Sequence, residues 1–443
     1  MRRLGRWFLI LAAGLAAVAG LWGSGGRMAV RAETAVTARS AASERALRER
    51  EIAFYERRVE RDPESAFDHA RLASQYLQRA RETGEYQDYR RAEAMARRSL
   101  LLRTPHNGGA YLQLAASLLA QHRFVDALDV AEVLVAREPE QAHHRALLGE
   151  IQLELGKYDE ADATFATLGG ERRNLAVLPR LARWAEIHGR TEEARRVLAV
   201  ARDEADRRSD LAREQVAWFH LRVVDLELRN GRLEAAGKAL EVGLAIAPDD
   251  PRLLAAGARL RALDGDWQGA LEWGRRAIAI VPDMATVALV GDAWAALGDS
   301  SRAEAAYADV ERLARETSEP YARQWTLFRL EHGRELASTR SILEREIVDR
   351  PDVYGWDQLA WARYLTGDLA GAQTAIAEAL RMGTRDGTLF LHAGIIERAL
   401  GNRSAARVNL ERAVALNPRF HPTAQHVARL ALKELEEEEF EEE

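Results

Sequence analysis

Tyr354, Asp357, Trp361 and Tyr364 stand at spacings of three, four and three. On a helix that spacing puts three aromatic rings and one carboxylate on a single stripe, a mixture suited to an interface hot spot. Residues that could do covalent or acid–base chemistry are arranged less productively. The chain has no cysteine, which removes thiolate catalysis, disulfides and cysteine-ligated zinc. Its eleven histidines form no His-Glu-x-x-His or comparable ligand spacing, and the adjacent His143 and His144 must point to different faces of a helix. No Gly-x-x-x-x-Gly-Lys-Ser/Thr loop occurs, and Gly108-Gly109 falls between two predicted helices rather than after a strand. Acidic pairs such as Glu192-Glu193 precede arginines by three or four positions, the pattern of solvated salt bridges. The expectation is a protein with no catalytic residues, no metal and no cofactor.

The elements that carry these residues follow from composition and period. At 443 residues the chain is longer than one hydrophobic core usually supports, which calls for several domains or a repeat array. Ala, Leu, Arg and Glu dominate, while aromatic residues are 7% and prolines number 11, a balance that favours helix over strand. Turn residues recur at Gly84, His122, Gly156, Gly189, Gly231, Gly265, Gly298, Gly333, Gly367 and Gly401, and seven of the nine intervals lie within one residue of 34. Five residues after the turns from His122 onward come Ala127, Ala161, Ala194, Ala236, Ala270, Ala303, Ser338, Ala372 and Ala406. Seven residues before the same turns come Ala115, Gly149, Ala182, Val224, Ala258, Gly291, Thr326, Ala360 and Gly394. Small side chains at a crossing point let two helices approach to roughly 8 Å, whereas a leucine there would overpack by about 1–3 kcal/mol. The two columns therefore predict antiparallel helical hairpins, several closed by proline at Pro139, Pro248, Pro282 and Pro418.

The phasing of Tyr111, Leu114, Ala115, Phe124, Ala127 and Pro139, repeated by Phe390, Gly394, Gly401, Ala406 and Pro418, resembles the tetratricopeptide-repeat (TPR) consensus. That resemblance implies an all-α fold, a right-handed superhelical solenoid of about ten hairpins plus capping helices, binding partners on its concave face. Carried onto this sequence, the usual inward positions of the first helices place Trp218, Arg229, Arg259, Arg323, Tyr354, Asp357, Trp361 and Tyr364 on the partner-binding surface. Only three lysines occur, Lys157, Lys238 and Lys433, none at an inward position, so the lysine and asparagine clamp by which some such proteins hold acidic tails is missing.

Five regions are expected. Residues 1–32 read as a signal peptide or N-terminal membrane anchor, with Arg2, Arg3 and Arg6 before an apolar run and Val30-Arg31-Ala32 as a cleavage site. Residues 33–62 form a linker and N-terminal capping helix, 63–418 the array, 419–434 a C-terminal capping helix and 435–443 an acidic disordered tail. Eight of the 69 acidic residues lie from Lys433 onward, so the body is charge-balanced and carries no field suited to nucleic acid. The leader places the chain in the periplasm or outside the cell, of a bacterial exported type, possessing membrane contact only through an uncleaved N-terminus. The expected function is a non-catalytic scaffold holding a protein or peptide in its concave groove. The alternative is a glycan- or cell-wall-binding accessory subunit whose aromatic rings stack on sugars.

Overall fold

The computed structural model describes residues 41–317, 323–419, 421–422 and 425–442, and all regular structure among these is helical. The expected signal peptide, residues 1–32, lies outside the described residues. Helix α1 (Ala41–Arg61) precedes ten antiparallel hairpins. Hairpins one to five are α2 (Ala66–Thr83) with α3 (Tyr86–Leu102), α4 (Gly108–Ala120) with α5 (Phe124–Arg137), α6 (Ala142–Glu154) with α7 (Tyr158–Ala166), α8 (Leu178–Ile187) with α9 (Thr191–Asp206), and α10 (Arg213–Arg229) with α11 (Leu233–Ile246). Hairpins six to ten are α12 (Pro251–Leu263) with α13 (Trp267–Ile280), α14 (Met284–Ala296) with α15 (Ser300–Thr317), α16 (Arg323–Glu331) with α17 (Leu336–Asp349), α18 (Val353–Leu365) with α19 (Leu369–Leu380), and α20 (Gly387–Ala399) with α21 (Arg403–Leu416). Helix α22 (Gln425–Glu442) closes the array. Among the described residues no helix is long and apolar enough to cross a membrane.

Local chemistry sets the helix starts. Asp250, Asp283, Asp352 and Asp386 cap α12, α14, α18 and α20, each accepting from a first-turn N–H. Within hairpins the small-residue columns let bulky partners in: a Cβ on Gly149 would stand 2.8 Å from the Phe165 ring, and one on Gly291 2.4 Å from Tyr307. The alanines of the second column are buried. Hairpin eight departs from the pattern, since Ser338 is exposed and its neighbour Thr339 is buried instead. The acidic end also differs from expectation. Helix α22 runs through the glutamates to Glu442 with Leu435 fully buried, and Glu434 and Glu436 pair with Arg398 and Arg407 of hairpin ten. Those anchors supply the order that a solvated run of like charges lacks.

The solenoid closes on itself after five hairpins. The N–H of Val353, the first residue of α18 just past the end of hairpin eight, donates to Tyr158 Oη at the turn of hairpin three, 2.8 Å away. Thr384, after hairpin nine, donates to the Ile187 carbonyl at the turn of hairpin four. Asn417, after hairpin ten, donates from Nδ2 to the Leu228 and Arg229 carbonyls of hairpin five at 3.0 and 3.1 Å. Hairpin n thus seats against hairpin n+5, and two superhelical turns meet along a seam. At its start the seam is apolar, where one cluster joins Leu77, Tyr86 and Ala120 to Met284, Val287 and Tyr307.

Candidate functional site in the superhelical groove

The first helices of the hairpins line the inside of the coil, and in its middle they bring charge together from both turns. Glu186 of α8 is the hub. Its carboxylate accepts from Arg229 Nη2 at 2.6 Å and from Arg183 Nη1 at 3.4 Å, and Arg222 Nη2 stands 3.5 Å away. Burial works to raise the Glu186 pKa, yet Arg229, Arg222 and Arg183 together hold it below the usual carboxylate range. Arg183 lies 5.4 Å from the ring of Tyr354, which α18 delivers from the opposite turn. Arg259 of α12 donates to Asp225 Oδ1 at 3.3 Å. Its side chain keeps 44% of its surface open, although enclosure by protein lowers its pKa despite that partner. The groove here is therefore surrounded by protein and still open to water.

Asp386 faces the same space. Burial pushes its carboxyl pKa up, while Oδ1 accepts the Thr388 N–H as the cap of α20. Each carboxylate of this cluster is thus committed to a guanidinium or a helix start, an arrangement suited to binding and orienting charged groups. Beside it lies an aromatic ledge. Trp361 stacks between His392 of α20, at 4.2 Å and 13°, and Tyr364, at 4.8 Å and 21°. His392 Nδ1 is 2.8 Å from Asp357 Oδ1, which fixes the imidazole against the indole.

The structure treats the eight expected groove residues unequally. Arg229, Arg259 and Tyr354 meet in the charged cluster, and Trp361 and Tyr364 form the ledge. Asp357 is only 5% exposed and serves His392 rather than open groove. Two belong elsewhere. Trp218 is 8% exposed and packs edge-on to Phe219 at 5.1 Å, in a core cluster with Leu178 and Ala205. The length of α10 takes its early residues into that core. Arg323 is spent at a junction between hairpins, donating to Glu346, to Asp352 and to the Arg350 carbonyl. Sequence reasoning missed Glu186, Arg222, Asp386 and His392. The signals were there in part: Glu186 follows Arg183 by three positions on one face, and Asp386 stands where a cap is needed.

A family model described as "Tetratricopeptide repeat" matches residues 118–184. A search of curated protein sequences finds no significant match. Among solved structures, a human IFIT1 dimer with m7Gppp-AAAA is 14% identical, with a TM-score of 0.50 over 77% of this chain and 78% of that one. The anaphase-promoting complex Cut9–Hcn1 hetero-tetramer is 12% identical with a TM-score of 0.34, covering 90% and 95% of the two chains. PilF of Pseudomonas aeruginosa is 18% identical with a TM-score of 0.37, covering 51% of this chain and 97% of that one. Residues 118–184 thus match a tetratricopeptide repeat, and the hairpins before and after them repeat the same geometry, so the described chain folds as an all-α helical solenoid of tetratricopeptide-like hairpins.

Proposed function

We propose that this chain is a non-catalytic scaffold that holds an extended protein or peptide segment in its superhelical groove, on the outer side of a bacterial membrane. The observation that carries the reading is the convergence of first-helix side chains from both turns on one enclosed, water-accessible space, from Arg259 and Arg229 to Tyr354. TPR proteins in general mediate protein–protein contacts. A segment of alternating character suits this lining, with carboxylates for Arg259, basic groups for Asp225, and a flat side chain for the ledge at Trp361 and Tyr364. The leader-like N-terminus supports the outer compartment, which protease accessibility in intact spheroplasts reads directly.

The test is selection from a displayed peptide library, followed by affinity measurement on the full chain. Arg259→Glu and Trp361→Ala each weaken a selected peptide by about tenfold or more with helicity unchanged, while Lys238→Glu on the exposed outer face leaves affinity intact. Peptides that bind equally to all three variants would remove the groove from consideration. Should cell-wall fragments alone change tryptophan fluorescence, and do so only with Trp361 present, the glycan reading would replace this one.

A further inference from the structure

Away from the groove, the seam between the two turns opens into a cleft of about 520 Å³. Arg190, Arg195, Arg196 and Arg232 line it from hairpins four and five, and Arg385 lines it from the loop between α19 and α20. Carboxylates answer some of this charge. Arg195 donates to Glu227 at 2.7 and 3.0 Å and also to Glu192. Arg190 Nη1 reaches Glu193 at 3.2 Å while its guanidinium lies 4.0 Å from the Trp184 ring centroid. Arg190 Nε and Nη2 are shielded from solvent with no hydrogen-bond partner, and Arg232 reaches only the already engaged Glu227, at 3.5 Å. Arg196 and Arg385 are exposed and form no ion pair within 4.0 Å among the described residues. Helix α9 opens onto the same cleft, and its N-cap, Arg190, supplies no side-chain acceptor for the first-turn N–H groups.

Five guanidiniums therefore meet three carboxylates, and the two uncommitted cations line the cleft from opposite sides of the seam. The geometry points to a binding site for a small multivalent oxyanion of the phosphate type, which bridges the two superhelical turns. Guanidinium forks match tetrahedral oxyanions in pairs, and first-turn amides add donors on one side. The volume suits a small molecule. Bridging explains why multivalency matters, since a single charge could neutralise Arg196 or Arg385 but not both.

Titration of the full chain with sodium pyrophosphate at fixed ionic strength, read by calorimetry and by melting temperature, tests this. Saturable binding with a Kd below about 1 mM is expected, with a rise in melting temperature. Arg196→Glu and Arg385→Glu should each weaken it about tenfold or more while shifting the ligand-free melting temperature by less than about 2 °C. A rise no larger than matched sodium chloride gives, or undiminished affinity in Arg385→Glu, overturns the site. Citrate binding more tightly than pyrophosphate overturns its assignment to phosphate.

Discussion

The turns of the first and second superhelical revolutions have the same backbone and opposite surroundings. Gly156, in hairpin three, has φ +66, and a Cβ there would lie 2.4 Å from the Pro351 carbonyl oxygen across the seam. Gly298, in hairpin seven, has φ +87 and nothing within 4 Å. Each closes a hairpin in the same way, so local sequence needs glycine equally at both. The difference is tertiary. In the first revolution the turns of hairpins one, three, four and five are covered by the ends of hairpins six, eight, nine and ten, as Val281, Pro351, Gly383 and Asn417 show, while the later turns stand free. A repeat unit thus specifies its own hairpin, whereas its burden in the whole depends on where in the coil it falls.

The largest effect should come from setting those two turns against each other. An alanine in the left-handed region costs about 1–2 kcal/mol at either glycine, and collision with rigid backbone adds about 1–3 kcal/mol at the seam. Gly156→Ala is expected to lose about 2–5 kcal/mol in urea unfolding and Gly298→Ala only the backbone strain of about 1–2 kcal/mol. Equal losses would mean the seam does not form in solution. Next in size, Asn417→Ala abandons the Leu228 and Arg229 carbonyls and should cost about 1–3 kcal/mol, with faster amide exchange near the end of α21. Exchange unchanged there would show that Asn417 does not hold the two revolutions together.

The smallest effect is a pH dependence whose sign differs between the revolutions, since burial lowers the pKa of His122, His143 and His144 in the first. His332 and His421 are both partly buried, and that enclosure lowers their pKa, yet Asp292 above all raises His332 and Glu331 above all raises His421, so that both end above the usual value. A histidine whose folded pKa exceeds its unfolded value of about 6.5 stabilises fully below that value. The contribution disappears as pH rises through the folded pKa. Relative to the parent chain, Glu331→Gln should therefore lose about 1–2 °C more in melting temperature at pH 6 than at pH 8. An equal loss at the two pH values would show that Glu331 does not set the titration of His421.

How much could be read from the residues alone tracks the range of the forces involved. The ten hairpins were legible because small residues such as Ala115 and Gly149 meet partners within one 34-residue period. Closure was not, because Tyr158 and Val353 are 195 positions apart and nothing periodic marks their pairing. Trp218 was misplaced for a related reason: counting inward positions assumes a standard helix, and α10 is 17 residues long. The helical start of the acidic end pairs with arginines on two other helices, Arg398 of α20 and Arg407 of α21, and composition carries no trace of those pairings. Arg229, Arg259 and Tyr354 share one space because the inward register holds in their helices, while Glu186, which pairs with Arg229, looked like one more surface acid.

Docking at an offset of five also restricts how such a chain can change length. An open stack can gain or lose a module and simply become longer or shorter. Here, removing one repeat between hairpins three and eight would carry Val353 one station past Tyr158, and every later pairing would slip out of phase with it. Only whole revolutions, or modules added at the ends, preserve the mesh, so the number of repeats in this molecule is tied to the circumference of its coil.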